Sequence, residues 1–195
     1  IHNKYFDDNE IKKWKIHKDS IYFISDIRSL TYDSTSELET QERANEELSK
    51  NDMLMQENWV KLLKPVQSLL KFRLPKIYNW TTILNFPYLD GIIYLEQWNH
   101  PHSREARLVP NKDYESRNWD ITVYNNEMYH FNIILRQNIN FINIFTEDNS
   151  PINNLIGLSN DYDSTASCFI LGEYLKKNGV EPSKQHVIEL FKIII

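Results

Sequence analysis

His100 and His102 stand two residues apart in the stretch "WNHPHSRE", residues 98–105. Alternate residues share one face of a strand, so the two imidazoles could hold a metal ion together with a distant ligand such as His130. Pro101 lies between them and opposes regular strand pairing, because proline has no backbone N–H to donate. The spacing therefore favours a hairpin loop over a metal centre.

Cys168 is the only cysteine, and we place it in the first turn or so of a predicted helix. The positive end of a helix lowers the pKa of a thiol, and a nearby base such as His130 or His186 would complete a nucleophile. The following residues, Phe169 and Ile170, favour a small buried side chain instead. An enzyme with dispersed catalytic residues, using Cys168 or the histidines, stays as the alternative hypothesis.

The basic residues offer a candidate binding surface. Five of them alternate with aromatic residues between Trp59 and Trp80, and a further pair lies in "HSREARLV". Such side chains bind acidic or phosphate-bearing partners, although lysine stems that cover the apolar surface of a helix give the same pattern. We predict that a partner is bound by members of this set: Lys61, Lys64, Lys71, Arg73, Lys76, Arg104 and Arg107.

Several classes of function are disfavoured by composition. The four glycines are too widely spaced for a phosphate-binding loop, and no motif of a known reaction class is present. A net charge of −5 argues against general, salt-driven binding of nucleic acid. No apolar run is long enough to cross a bilayer, and a single cysteine favours a reducing, intracellular compartment. We therefore expect no cofactor, no metal and no membrane insertion.

Hydrophobic periodicity predicts an α+β fold in a single domain, residues 1–195. The N-terminal part is predicted to form a short helix within residues 1–18 and a strand over residues 20–27. A polar segment, residues 34–52, is an exposed helix or an excursion from the domain. Residues 53–72 have helical spacing, with a kink or a new helix at Pro65.

The remainder of the chain predicts an antiparallel meander of about five strands between residues 91 and 145. The pairing of residues 119–124 with residues 128–135, through a turn at Asn125 and Asn126, has the strongest signal. A helix over residues 164–178 ends at Gly179, and a second begins at Pro182. We expect these two C-terminal helices to pack on one face of the sheet.

These features predict a non-catalytic protein–protein interaction module. One form is a subunit or scaffold domain of an assembly. The other is an acidic inhibitor that covers a basic partner, as immunity proteins do. In both forms the expected partner is another protein.

Overall fold

A computed structural model describes residues 6–29, 37–78, 81–100, 102–138 and 161–194. The chain divides into two compact units: residues 1–96 with 104–126, and residues 97–103 with 127–195. In the described part of the chain, the strands lie in the first unit and the second unit contains helices. The predicted α+β class is confirmed, whereas a single domain over residues 1–195 stays a prediction.

The first unit is built on a four-stranded sheet with the strand order β1-β2-β5-β4. Strand β1 runs parallel to β2, and the other pairs are antiparallel. Strands β3 and β6 form a separate antiparallel pair. The elements of this unit, in chain order, are α1 (Asp8–Trp14), a 3₁₀ helix (Lys15–Ser20), β1 (Tyr22–Ser25), α2 (Leu38–Leu63), β2 (Gln67–Phe72), β3 (Asn85–Leu89), β4 (Gly91–Leu95), β5 (Ala106–Pro110) and β6 (Ser116–Asp120).

Helix α2 is the crossover that a parallel pair of strands requires. Its described residues begin within the polar segment that we predicted as a helix or an excursion, and they form one continuous helix. Its buried residues recur at helical spacing, and Trp59 and Leu63 pack with Ile11 of α1. The side chain of Gln56, which is fully buried, bonds both the backbone N–H and the carbonyl of Lys71 on β2. The helix therefore covers one face of the sheet.

The predicted helix beyond Pro65 is wrong, because residues 67–72 form β2. Helix α2 ends where Lys64 adopts a left-handed conformation (φ 51°), and Pro65 follows directly. Because proline has no backbone N–H, it cannot continue the helical hydrogen bonds, and the helix ends here. The apolar residues after it then alternate between the two faces of a strand.

The predicted hairpin over residues 119–135 is also wrong. Only β6 is a strand; residues 121–130 form helix α3 (Ile121–His130), which continues as a π-helical turn (Phe131–Leu135). The carboxylate of Asp120 accepts a hydrogen bond from the N–H of Val123, which is how a helix start is capped. Asn125, which we placed in a tight turn, bonds the carbonyls of Ile121 and Pro75 instead.

The second unit contains the end of α3, the π-helical turn and the predicted closing pair, which is confirmed as α4 (Tyr162–Lys177) and α5 (Lys184–Ile194). Cys168 and Leu175 of α4 pack against Val187 and Phe191 of α5. Gly179 has a φ of +74°, the left-handed conformation that we expected after the helix. The strand predicted over residues 139–145 lies outside the described residues.

Replacing either of two buried tyrosines of the first unit with phenylalanine is expected to change the free energy of unfolding, in opposite directions. Tyr88 is fully buried, and within the described residues its hydroxyl has no hydrogen-bond partner. The Tyr124 hydroxyl donates to the carbonyl of Arg104, and the carbonyl of Phe72 lies 3.4 Å away. A buried hydroxyl without a partner costs about 1–3 kcal/mol, so Tyr88→Phe is expected to raise the free energy of unfolding by about 1 kcal/mol. Tyr124→Phe should lower it by a similar amount.

Urea denaturation of both variants measures these changes. The two substitutions remove the same atom from buried rings, so each controls for the other. A loss of stability in Tyr88→Phe as large as that in Tyr124→Phe would contradict the assignment.

Candidate functional site

Among the residues that the structure describes, one face of the four-stranded sheet is left uncovered. Pairing places Tyr22 and Ile24 of β1 beside Gln67 and Leu69 of β2, and Ile92 and Tyr94 of β4 beside Val109 and Arg107 of β5. Partners in register point to the same side of a sheet, so these side chains share the face away from α2. We call this the open face, and its apolar residues are Tyr22, Ile24, Leu69, Ile92, Tyr94 and Val109.

The apolar side chains of the open face are unusually accessible. Tyr22 and Ile24 are 72% and 71% exposed, and Ile92 and Tyr94 are 59% and 53% exposed. Parallel strands are ordinarily buried on both faces, whereas here α2 covers one face of the β1–β2 pair. A contiguous exposed apolar patch marks an interaction surface more often than isolated exposed residues do. The open face is therefore the leading candidate for a docking site.

A charged cluster borders the apolar part of this face. Two of the predicted binding residues, Lys71 and Arg107, are in register on β2 and β5. The Lys71 ammonium lies 3.1 Å from carboxylates of both Asp26 and Glu105, and the Arg107 guanidinium lies 3.2 Å from Asp26. Further pairs join Arg107 to Glu96 at 2.5 Å and Arg28 to Glu105 at 2.8 Å. The cluster thus balances three cations with three carboxylates.

The acids of this cluster differ in proton affinity. Burial alone would raise the pKa of Glu105, but hydrogen bonds from Arg107 and Lys71 outweigh it and lower that pKa. The pKa of Asp26 is lowered in the same way, since Lys71 and Arg107 outweigh its burial. Burial prevails at Glu96, whose pKa is raised despite Arg107. The cluster is therefore held ionised mainly by the two cations on β2 and β5.

Two other predicted residues, Arg73 and Arg104, meet at a buried carboxylate. Glu46 of α2 accepts from Arg73 at 2.6 Å and from Arg104 at 3.4 Å, and its second oxygen accepts from the N–H of Lys76 at 3.1 Å. Arg104 also donates to the Leu74 carbonyl, and its own burial lowers its pKa. These contacts tie α2 to the chain that follows β2.

The remaining predicted residues lie apart from the open face. Lys61 donates to Glu57 at 2.6 Å on the same helix and to Ser116 at 3.3 Å. Lys64 ends α2 and is exposed, and the ammonium of Lys76 lies 4.8 Å from the centre of the Tyr78 ring. Of the seven predicted residues, the structure therefore brings Lys71 together with Arg107, and Arg73 together with Arg104.

The sequence model of the family described as Poly A polymerase regulatory subunit matches residues 1–195. The chain belongs to this family. No curated protein matches the sequence. Membership in a family of regulatory subunits confirms the coarse expectation of a non-catalytic subunit that works with a protein partner. The open face was missed by sequence reasoning, because "YFIS" of β1 and "GIIYL" of β4 are apolar at consecutive positions and do not show which side chains are exposed.

The alternative hypothesis used Cys168 and the histidines, and the structure describes the surroundings of these residues. Cys168 is 1% exposed among apolar side chains, and burial raises the pKa of its thiol to about 11, so little thiolate forms at neutral pH. The rings of His100 and His102 are 5.5 Å apart, and Nδ1 of His100 accepts from the N–H of His102. Within the described ranges, no three metal-ligating side chains converge, and His130 is the last residue of α3.

None of the described helices combines the length and the apolar character that a membrane crossing needs.

Proposed function

We propose that the chain is a regulatory subunit that binds the catalytic subunit of a poly(A) polymerase through the open face. The observation that carries this proposal is the exposure of Tyr22, Ile24, Ile92 and Tyr94 on one face of a sheet whose other face is covered. The family description supplies the class of partner. Aromatic and branched apolar side chains are well suited to the centre of a protein interface.

The charged cluster supports an orienting role in the same interface. Lys71, Arg107 and Glu105 are largely buried and already paired, so they give a fixed pattern of charge beside the apolar patch. Fixed charges of both signs favour one register of a partner over others and add specificity more than affinity. The predicted binding role of Lys71 and Arg107 is therefore kept, while Arg73 and Arg104 are proposed to stabilise the fold that presents them.

An assembly subunit fits this surface better than an acidic inhibitor does. An inhibitor that covers a basic site needs an interface of negative potential. The open face instead has an apolar centre and a border in which charges of opposite sign balance. We further propose that the subunit works inside the cell and that its ligand is protein rather than nucleic acid.

Isothermal titration with the purified catalytic subunit tests this function. Ile92→Asp places a charge among the apolar side chains of the open face and is expected to weaken binding by about thirtyfold, which corresponds to about 2 kcal/mol. Ile16→Asp is the matched control, because Ile16 lies in the 3₁₀ helix and is 80% exposed. The control should bind as the unmodified chain does.

Thermal denaturation of both variants shows whether the sheet is intact before the titration. Equal affinities for the folded Ile92→Asp and Ile16→Asp variants would overturn the assignment of the open face. The absence of any binding by the unmodified chain would overturn the proposed function itself.

A further inference from the structure

Strand β1 is an edge strand with little of the usual protection. It lies at one end of the sheet order, and β2 is its only paired strand in the part of the chain that the structure describes. Its sequence, "YFIS", contains no lysine, proline or glycine. Proteins ordinarily protect an exposed edge with charge, proline or a bulge, because its unpaired N–H and C=O groups attract another strand.

The opposite edge, β4, is better protected. Asp90 and Glu96 flank β4, and carboxylates beside an edge strand discourage further pairing. The backbone of Asp90 is also engaged, since its N–H donates to Glu115 and its carbonyl accepts from Asn111. Strand β1 has a carboxylate at its C-terminal end alone: Asp26, which is paired with Lys71 and Arg107, follows it, whereas the apolar Ile21 precedes it. Of the two edges, β1 is therefore the less protected against an added strand.

We propose that β1 accepts an extended segment of the catalytic subunit as a fifth strand of the sheet. This inference rests on the proposed function and specifies how the partner docks. Unpaired backbone groups in a row fit an extended backbone and no other common ligand, and strand addition to a sheet edge is a recurrent mode of recognition. The added strand would lie beside Tyr22 and Ile24, so its side chains would extend the open face.

A second copy of this chain is a less suitable occupant. Two β1 strands of four residues each would bury much less than the roughly 1,200 Å² that a stable interface needs. A catalytic subunit that also covers the open face adds the missing area, because the edge and the face meet at Tyr22 and Ile24. The partner segment is expected to have apolar residues at alternate positions, since alternate side chains of a strand share one face.

Hydrogen–deuterium exchange with residue-level mass spectrometry tests the inference on the full chain, alone and with the catalytic subunit. In the complex, the amides of β1 that face away from β2 should exchange at least tenfold more slowly. The outward amides of β4 are the control, and their exchange should change by less than the outward amides of β1.

The outcomes separate the inference from the function on which it rests. A complex in which the outward amides of β1 exchange as fast as in the free chain overturns strand addition and leaves the proposed function standing. If no complex forms, the proposed function fails. If exchange of the β1 amides slows as the concentration of the chain alone is raised, a second copy of the chain occupies the edge. If exchange slows on addition of oligo(A) alone, nucleic acid occupies it. Either result overturns the inference.

Discussion

Replacing Glu46 with glutamine is expected to lower the free energy of unfolding by about 3 kcal/mol, since removal of one partner from a buried ion pair leaves charge without compensation. The Glu46 side chain is 10% exposed and accepts from both Arg73 and Arg104. Glutamine keeps the shape but removes the negative charge between two guanidiniums. The cost should be at the lower end of the range for buried pairs, because Arg73 is 24% exposed.

Glu39→Gln is the matched control on the same helix. Glu39 pairs with Arg43 at 2.6 Å, but its side chain is 62% exposed, and exposed pairs contribute less than about 1 kcal/mol. Chemical denaturation of the two variants measures the difference. Similar losses of stability in both would show that Glu46 does not hold α2 to the chain after β2.

Replacing Arg136 with methionine should cost about 3–5 kcal/mol, because it leaves the Asp163 carboxylate buried without its cation. The side chains of Arg136 and Asp163 are 6% and 12% exposed, and they form a direct ion pair. Arg136 also donates to Asn132, and Asp163 accepts from the N–H of Trp98. The pair therefore joins the π-helical turn, the start of α4 and the loop at Trp98, all within the second unit.

The double variant Arg136→Met with Asp163→Asn separates charge from packing. Asparagine retains an acceptor for Trp98 but carries no charge, so the double variant should recover much of the lost stability. Thermal unfolding of the single and double variants gives the comparison. A double variant that is less stable than Arg136→Met alone would mean that packing, and not the uncompensated carboxylate, sets the cost.

Sequence periodicity predicted the elements whose pattern is local. Strands β1, β4 and β5 and the closing helices α4 and α5 were found because apolar residues repeat at one clear period within each. Gly179 marked the end of α4 correctly, since few other residues adopt its left-handed conformation.

The errors lie where one pattern is compatible with two structures. Residues 121–135 are rich in β-branched and aromatic side chains, which favours strands. The same segment places Ile121, Tyr124, Met128 and Phe131 at helical spacing, and these are its buried apolar side chains. Residues 67–72 continue the helical spacing of α2 but form β2. A contact distant in sequence supports this strand, because the Gln56 side chain bonds the backbone of Lys71.

The candidate site was harder to predict than the fold. Basic residues were predicted to bind a partner because charge is visible in a sequence. Arg73 and Arg104, however, form ion pairs with Glu46 of the same chain. The open face is shared by four strands, and which face of an apolar strand is covered depends on the position of α2. The sequence shows that Tyr22 and Ile24 alternate with Phe23 and Ser25, without showing which pair is accessible.

Hydroxyl-radical labelling of tyrosines in the complex with the catalytic subunit tests docking on the open face most directly. Tyr22 and Tyr94 lie on this face, whereas Tyr129 and Tyr174 of the second unit are 61% and 56% exposed and serve as controls. We expect labelling of Tyr22 and Tyr94 to fall severalfold on complex formation, with little change at the controls. A complex in which Tyr22 and Tyr94 are labelled as fast as in the free chain would contradict this account.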